Sequence, residues 1–256
     1  MSGKSPLKEK PLRLPGQGVE EDIIRLREGA VIDLLFVAGC VFVLAFMEWF
    51  GYLTHAGRHP WAFTILAGAT LGYVAPHILK LKKTIRELKL GRDGERIVAE
   101  QFECLRERGA HILHDVPAEG FNLDHVVLST HGIYAVETKT RSKSSGTARV
   151  VVEGDNLTVG GYTLDRNPIE QVAGAARWLE KRLHESTGKR YFVRGVVVFP
   201  GWFVEQKGAR GNVWVLEPKM LPGFIGQAPE MIAASDVALA ADHLSRYVRS
   251  RAEKAA

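Results

Sequence analysis

Cysteine is scarce in this sequence. The two cysteines, Cys40 and Cys104, lie far apart and have no CxxC spacing, so they cannot form a zinc site. Cys40 lies inside an apolar run, which argues against a disulfide. The lack of disulfides is typical of a protein from a reducing compartment.

Several common enzyme motifs are also absent. The sequence has no Walker phosphate loop, no GxGxxG dinucleotide fingerprint, no GxSxG nucleophile elbow and no internal repeats. These absences argue against P-loop NTPases, Rossmann dehydrogenases and α/β-hydrolases. The net charge of +5 permits a polyanionic partner but does not require one.

Two long apolar runs lie near the N-terminus, at residues 30–53 and 61–79. As a helix the first would be roughly 36 Å long at about 1.5 Å per residue, which is enough for a bilayer core of about 30 Å. Trp49 and Tyr52 suit an interfacial aromatic belt. The short connection between the runs predicts a transmembrane helical hairpin. The alternative is a buried helical hairpin of a soluble domain.

Basic residues flank this hairpin on both sides, whereas the loop between the runs carries only Arg58. By the positive-inside rule, both termini are cytoplasmic and the loop faces outward. A cleaved signal peptide does not fit, because the first run begins about 30 residues into the chain and a second run follows. We therefore expect a two-span protein of the inner membrane, with the lipid bilayer as a partner. The flanking residues are Lys4, Lys8, Lys10, Arg13, Arg25 and Arg27 before the runs and Lys80, Lys82, Lys83, Arg86, Lys89 and Arg92 after them.

Small residues on the second run offer a close-packing surface. Gly68 and Gly72 form a GxxxG pattern that could support a homo-oligomer, or could simply pack against Gly39 of the first run. Asp33 and Glu48 lie towards the ends of the first run, where carboxylates can reach the membrane surface.

The remaining segments are predicted from composition and periodicity. We expect a basic flexible tail at 1–29, within which Glu20 to Glu28 begins a helix that runs into the membrane. We also expect a basic juxtamembrane linker at 80–92, a folded domain at 93–216, and a loop with a final helix at 217–256. Within these ranges, Gly91 to Gly94 predicts a helix break with Asp93 as the N-cap of the next helix, 217–230 a loop, and Ser235 the N-cap of the last helix. The mixed order of helices and strands predicts an α/β domain with a mixed sheet.

Residues 121–140 predict a β-hairpin whose turn is written Ser129 to Gly132. Alternation along the second strand places Glu137 and Lys139 on one face, with Tyr134, Val136 and Thr138 on the other. Asp124 opens the first strand and can lie close to Glu137.

Charges at this position need a partner, because charges near an apolar core are costly unless they are paired or bound. Mg²⁺ prefers oxygen ligands, which Asp124, Glu137 and the Thr138 carbonyl could supply. Lys139 could then orient a water or stabilise charge on a phosphate. By spacing alone, a surface salt bridge between Glu137 and Lys139 is the better interpretation.

A wider set of residues resembles the nuclease-related domain (NERD) family, a branch of the PD-(D/E)xK nuclease superfamily. The matching pieces cover roughly residues 91–200: Gly91-Arg92-Asp93-Gly94-Glu95, Asp124-His125, Gly132-Ile133-Tyr134, Val136-Glu137-Thr138-Lys139-Thr140, and Asn167-Pro168 with Gln171. The family's nominal proline before the aspartate is absent, and Leu123 stands there. This resemblance implies a restriction-endonuclease-like mixed β-sheet flanked by helices, here preceded by the transmembrane hairpin.

The resemblance also implies roles for these residues. Glu95 would be the helix-borne acid near a metal, Asp124 and Glu137 the metal ligands, Lys139 the catalytic lysine and Gln171 a helix residue near the active centre. It implies a Mg²⁺ cofactor, with Mn²⁺ as a substitute, and a nucleic-acid partner, with DNA ahead of RNA.

Basic and aromatic residues outside the hairpin give weaker indications. Arg141, Lys143 and Arg149 could contact a phosphate backbone or form a solvated basic surface. Trp178, Trp202 and Trp214 could stack on bases, but packing explains them equally well. His111 and His114 face opposite sides of a strand, and His125 points away from the charged face, so we interpret the histidines as structural.

Two functions follow from the sequence. One is metal-dependent hydrolysis of phosphodiester bonds by a membrane-anchored nuclease-like protein. The alternative is a membrane-tethered nucleic-acid-binding or scaffold protein that has the nuclease fold without turnover.

Overall fold

The structure is a computed structural model that describes residues 12–54, 60–142, 148–208 and 211–254. Its chain forms two compact units. We call Gly18–Lys89 the helical unit, and residues up to Gln17 together with Leu90 onwards the sheet unit.

The helical unit carries long helices whose apolar residues are exposed. Two helical stretches, Gln17–Leu53 and Pro60–Arg106, are long and apolar enough to cross a membrane, and only 11% of the most apolar window of each is buried. Phe36, Phe46 and Ile65 are 71–72% exposed. The elements of the first stretch are α1 (Gln17–Leu26), a π-helical turn (Arg27–Val31) and α2 (Ile32–Leu53). The helix thus begins at Gln17, inside the range 1–29 and close to the helical start expected at Glu20.

The second stretch begins with α3 (Pro60–Gln101), which runs unbroken through the predicted linker and the predicted break. Asp93 is not an N-cap, because it lies inside the helix and accepts hydrogen bonds from Arg92 at 2.8–2.9 Å. The glycines here serve close packing. A Cβ on Gly94 would collide with the Thr140 Cγ2 methyl group, and glycine removes that collision without ending the helix.

The main sheet of the sheet unit has five strands in the order β1-β2-β3-β7-β9. The first three strands pair antiparallel, and β3, β7 and β9 pair parallel. A second sheet, in the order β6-β5-β4-β8, was not predicted. The strands are β1 (His111–Pro117), β2 (Asn122–Ser129), β3 (Gly132–Thr138), β4 (Arg149–Glu153), β5 (Asn156–Val159), β6 (Tyr162–Thr163), β7 (Val193–Val198), β8 (Phe203–Lys207) and β9 (Trp214–Leu216).

Helices cover both faces of the main sheet, which confirms the predicted mixed sheet flanked by helices. The remaining elements are α4 (Glu103–Arg106), α5 (Pro168–Thr187), a 3-10 turn (Pro218–Met220), α6 (Leu221–Gln227) and α7 (Ala234–Lys254). Ile133 and Ala135 belong to a core formed with α5 and α7. Tyr134 and Val136 belong to a second core formed with the end of α3, α4 and α6. The predicted alternation along β3 is thus confirmed.

Two predictions near the C-terminus are wrong. The segment 217–230 is not all loop, because Leu221 and Ile225 are buried one helical turn apart on α6. Proline is compatible with this helix because it lies in its first turn. Ser235 is not a cap either, since α7 already includes it and the N–H groups of Asp236 and Val237 bond to the Ala233 carbonyl.

Candidate functional site

The β2–β3 hairpin brings the two predicted carboxylates together. Ser129 pairs with Gly132 across a two-residue turn, and pairing continues to His125 opposite Val136. Gly132 has a φ of 143°, a conformation that favours glycine. The register places Asp124 beside Glu137, at the carboxyl end of β3.

Hydrogen bonds fix the charged side chains at this end. The Thr138 N–H donates to Asp124 Oδ2 at 2.7 Å. Glu137 Oε1 accepts from Lys139 Nζ at 2.7 Å and from Gln171 Nε2 at 2.8 Å. Lys139 Nζ also donates to Gln171 Oε1 at 3.0 Å. Glu137, Lys139 and Gln171 therefore form a closed triangle in which each side chain restrains the other two.

The start of α5 places Gln171 in this triangle. Asn167 caps the helix by accepting the Ile169 N–H at 3.0 Å, and Pro168 occupies the first turn. The Gln171 N–H then bonds to the Asn167 carbonyl at 3.1 Å. Gln171 thus lies in the first turn, facing β3.

Three carboxylates of this site repel one another in a poorly solvated environment. Burial raises the pKa of Asp124 well above its usual value, with further increases from the charges of Glu137 and Glu95. Burial also raises the pKa of Glu95 to about 7, and the charges of Asp115 and Glu137 add to the increase. Excess negative charge in a buried site is stabilised by a bound cation.

The contacts around Glu95 were not predicted. Asp115 is buried with a φ of 48°, and it accepts from Arg13 Nε at 2.6 Å and Asn122 Nδ2 at 2.8 Å. The Gly16 N–H donates to Glu95, which lowers its pKa. We call residues 12–16 the N-terminal strap, because they precede the first apolar helix yet pack on the sheet unit. No sequence pattern predicts a contact between residues as far apart in the chain as Arg13 and Asp115.

The donor set fits a hard divalent cation. Asp124 Oδ1 and Glu137 Oε2 receive no hydrogen bond from any described residue, so each carboxylate has one oxygen held by the protein and one available. No three His, Cys, Asp or Glu side chains in the described ranges are clustered closely enough to hold a metal alone. Two carboxylates with waters completing the coordination are typical of Mg²⁺.

The predicted nucleic-acid contacts do not gather at this site. Arg149 is paired with Glu205 at 2.7 Å on the second sheet. Arg141 is exposed close to Lys139 in sequence, and its carbonyl accepts from Trp202 Nε1 at 3.4 Å. Lys143 lies outside the described residues.

The histidines lie where a structural role predicts them. His114 and His125 are buried with their Nδ1 atoms 2.8 Å apart, and Arg106 contacts His114 Nε2 at 3.1 Å. His125 packs edge-on against Phe102 in the second core. Trp202 is also buried, which favours packing over base stacking.

Comparison with known proteins agrees with this geometry. Residues 90–200 match the nuclease-related domain family. One solved structure, SfsA of Pyrococcus furiosus in complex with Ca²⁺, is 18% identical with a TM-score of 0.23, and the match covers 50% of this chain and 46% of that chain. At that score the likeness carries no argument. No curated protein matches the chain. Residues 90–200 of this chain are therefore a nuclease-related domain.

Proposed function

We propose that this protein is a membrane-anchored nuclease that hydrolyses phosphodiester bonds of nucleic acid with Mg²⁺ or Mn²⁺. The observation that carries the proposal is the closed triangle of Glu137, Lys139 and Gln171 beside Asp124. A surface salt bridge would need only Glu137 and Lys139, and it would not explain a neighbouring carboxylate whose pKa is raised.

Each residue has a role in this proposal. Asp124 and Glu137, with the Thr138 carbonyl, would hold the divalent ion, which would lower the pKa of a bound water and neutralise charge on the phosphate. Lys139 stabilises negative charge that develops on the phosphate oxygens. Gln171 positions Lys139 and Glu137. Glu95, with a pKa of about 7, can accept a proton from the attacking water near neutral pH.

The membrane anchor is supported by exposure and by the path of the chain. Core helices of soluble proteins bury their apolar residues, whereas both apolar windows here are 11% buried. The aromatic cluster of Trp49, Tyr52 and Trp61 suits an interfacial belt at the loop end of the hairpin. Arg13, before the first span, pairs with Asp115 after the second. This pair supports a topology in which both ends of the hairpin lie on one side of the membrane, and the charge asymmetry favours the cytoplasm.

The enzymatic proposal is tested with the full chain in lipid nanodiscs. Labelled DNA and RNA are incubated with Mg²⁺, Mn²⁺ or a chelator, and cleavage products are resolved by length. We expect metal-dependent cleavage that Asp124→Ala abolishes and that Asp242→Asn, an exposed acid on α7, leaves intact. Binding without cleavage, unaffected by chelator, would instead support a tethered nucleic-acid-binding protein, the rival function.

The topology is tested by labelling one cysteine at a time, either the native Cys104 or a cysteine introduced in the loop between the spans. Cys104 is exposed on α4, so a membrane-impermeant maleimide should label it, in a Cys40→Ser background, only after the cells are permeabilised. Arg58→Cys in the loop, on a background lacking both native cysteines, should be labelled in intact cells. Labelling of Cys104 in intact cells would contradict the proposed orientation.

A further inference from the structure

A second cavity lies at the opposite end of β3 from the carboxylates. It has a volume of about 600 Å³, within the range of roughly 300–1,000 Å³ that is typical of small-molecule sites. Its walls come from the starts of β3 and β7, from β9 and α6, and from the segment before α7. Ile133 and Glu137 are four residues apart on β3, so the cavity and the carboxylates are separated by roughly 13 Å along the strand.

Aromatic rings form one wall of this cavity. The rings of Tyr134 and Trp214 lie 5.6 Å apart at a shallow angle of 32°, and Phe224 meets Trp214 edge-on at 5.6 Å. Phe192, at the mouth, is 59% exposed. Such a wall offers flat apolar faces to a planar ring.

Two arginines give the cavity its charge. The Arg194 guanidinium lies over the rings of Trp214 at 4.8 Å and Phe192 at 5.3 Å, and it donates to the Asn212 carbonyl at 3.1 Å. Its other N–H groups have no partner among the described residues. Arg190 lines the cavity without an ion pair in the described ranges.

The acids nearby do not neutralise these arginines. Asp236, the one acid in the lining, is paired with Lys189 at 2.6 Å. His131 is held by the Ala228 carbonyl at 2.6 Å. The cavity therefore combines aromatic rings with excess positive charge.

We propose that this cavity binds a nucleotide unit, a heteroaromatic base joined to a phosphate. The base stacks against the accessible parts of Phe192, Trp214 and Phe224. The phosphate lies between Arg190 and Arg194. A purely apolar partner would leave two arginines desolvated without a counter-charge, which is costly. An isolated anion would leave the aromatic wall unused. The unit could be a free nucleotide or the 5′ end of a nucleic-acid strand, since both present the same chemistry.

The test is calorimetric titration of the full chain in lipid nanodiscs, in chelator, with AMP, adenosine, inorganic phosphate and a 5′-phosphorylated oligonucleotide. We expect AMP to bind saturably with a dissociation constant below about 1 mM. Adenosine and phosphate should each bind at least about tenfold more weakly, because each lacks half of the recognised chemistry.

Two variants of exposed residues locate the binding. Arg190→Ala and Phe192→Ala should each weaken AMP binding by about tenfold, since they remove a charged contact and a stacking face. The matched controls are Lys181→Ala on α5 and Tyr162→Ala on β6, which are exposed and lie outside the lining.

Each outcome bears on the proposal. If the oligonucleotide binds more tightly than AMP and both variants lose this binding, the ligand is the 5′ end of a nucleic-acid strand. If AMP binds more tightly than the oligonucleotide, the ligand is a free nucleotide. No saturable binding of either, or binding unchanged by Arg190→Ala and Phe192→Ala, overturns it. The result does not depend on whether the carboxylate site cleaves nucleic acid.

Discussion

The two ends of β3 carry opposite chemistry on a single strand of seven residues. At the carboxyl end, Asp124 and Glu137 each present one oxygen that no described donor contacts, and their mutual repulsion favours a cation. At the amino end, Tyr134 lies in an aromatic wall beside Arg194, which favours a planar anion. The difference follows from strand geometry, because Glu137 and Tyr134 point to opposite faces of the sheet. One strand can thus serve two sites without their side chains competing for the same space.

The largest expected effect is a loss of cleavage that leaves nucleotide binding at the amino end of β3 unchanged. Glu137→Gln keeps the shape of the side chain but removes a metal ligand and the charge that holds Lys139, so cleavage should fall at least about 100-fold. The measurement is the initial rate on labelled DNA with Mg²⁺. Nucleotide binding at the amino end should be unchanged, and a parallel loss there would show that the variant disturbs the whole sheet.

The pH dependence of stability should also arise from the carboxylates at the carboxyl end of β3. Folding raises the pKa of Glu95 from 4.5 to about 7, mainly through burial. Between these values the folded chain holds a proton that the unfolded chain has lost, so the free energy of unfolding falls as the pH rises from about 5 to 8. A shift of this size corresponds to about 3 kcal/mol at most.

Thermal unfolding of the full chain in nanodiscs, measured across this pH range, checks this dependence. Glu95→Gln should make it shallower, and the raised pKa of Asp124 accounts for the remainder. Saturating Mg²⁺ should offset the loss at high pH because it binds the ionised carboxylates. Equal pH slopes for the wild-type chain and Glu95→Gln would contradict the assignment to Glu95.

A smaller effect is expected where α3 approaches the carboxyl end. Gly94→Ala places a methyl group against Thr140 Cγ2, and the resulting overlap should lower stability by about 1–3 kcal/mol. Thr140→Ser removes that methyl group and should restore most of the loss in the double variant, as a double-mutant cycle would measure. If Gly94→Ala alone raises stability through its better helix propensity, the close approach is not tight.

The smallest effect is expected at a basic residue that belongs to neither end. Arg149 is half exposed and paired with Glu205, so Arg149→Ala should change stability by less than about 1 kcal/mol. Its effect on DNA affinity, measured by a filter or fluorescence assay, should be smaller than that of Arg141→Ala. A larger effect of Arg149→Ala would move the nucleic-acid path onto the second sheet.

The carboxyl end of β3 could be predicted from sequence because its rules are local. Strict alternation places Glu137 and Lys139 on one face, and Asn167-Pro168 sets the start of α5 and hence the position of Gln171. The pairing of Asp124 with Glu137 needs only the short turn between the strands. Strand alternation and the short turn therefore account for the placement of Asp124, Glu137 and Lys139, whereas the roles of Glu95 and Gln171 come from the family resemblance.

The other features depend on contacts that sequence patterns do not encode. Gly91 to Gly94 has the composition of a turn, but α3 continues through it. Thr140 approaches Gly94 so closely that a side chain there would collide with it. The Arg13–Asp115 pair joins residues on either side of the apolar helices, so it depends on how the folded chain returns to the sheet unit. The aromatic cavity is assembled from four separate elements, none of which is unusual alone.

The central claim is that Asp124 and Glu137 together hold one divalent cation. Calorimetric titration of the full chain in nanodiscs with Mn²⁺, at a pH above the pKa of Glu95, tests it most directly, with Asp124→Asn and Glu137→Gln as paired variants. The account predicts saturable binding in the wild-type chain that each variant weakens at least about tenfold. Equal Mn²⁺ binding by the wild-type chain and both variants would contradict it.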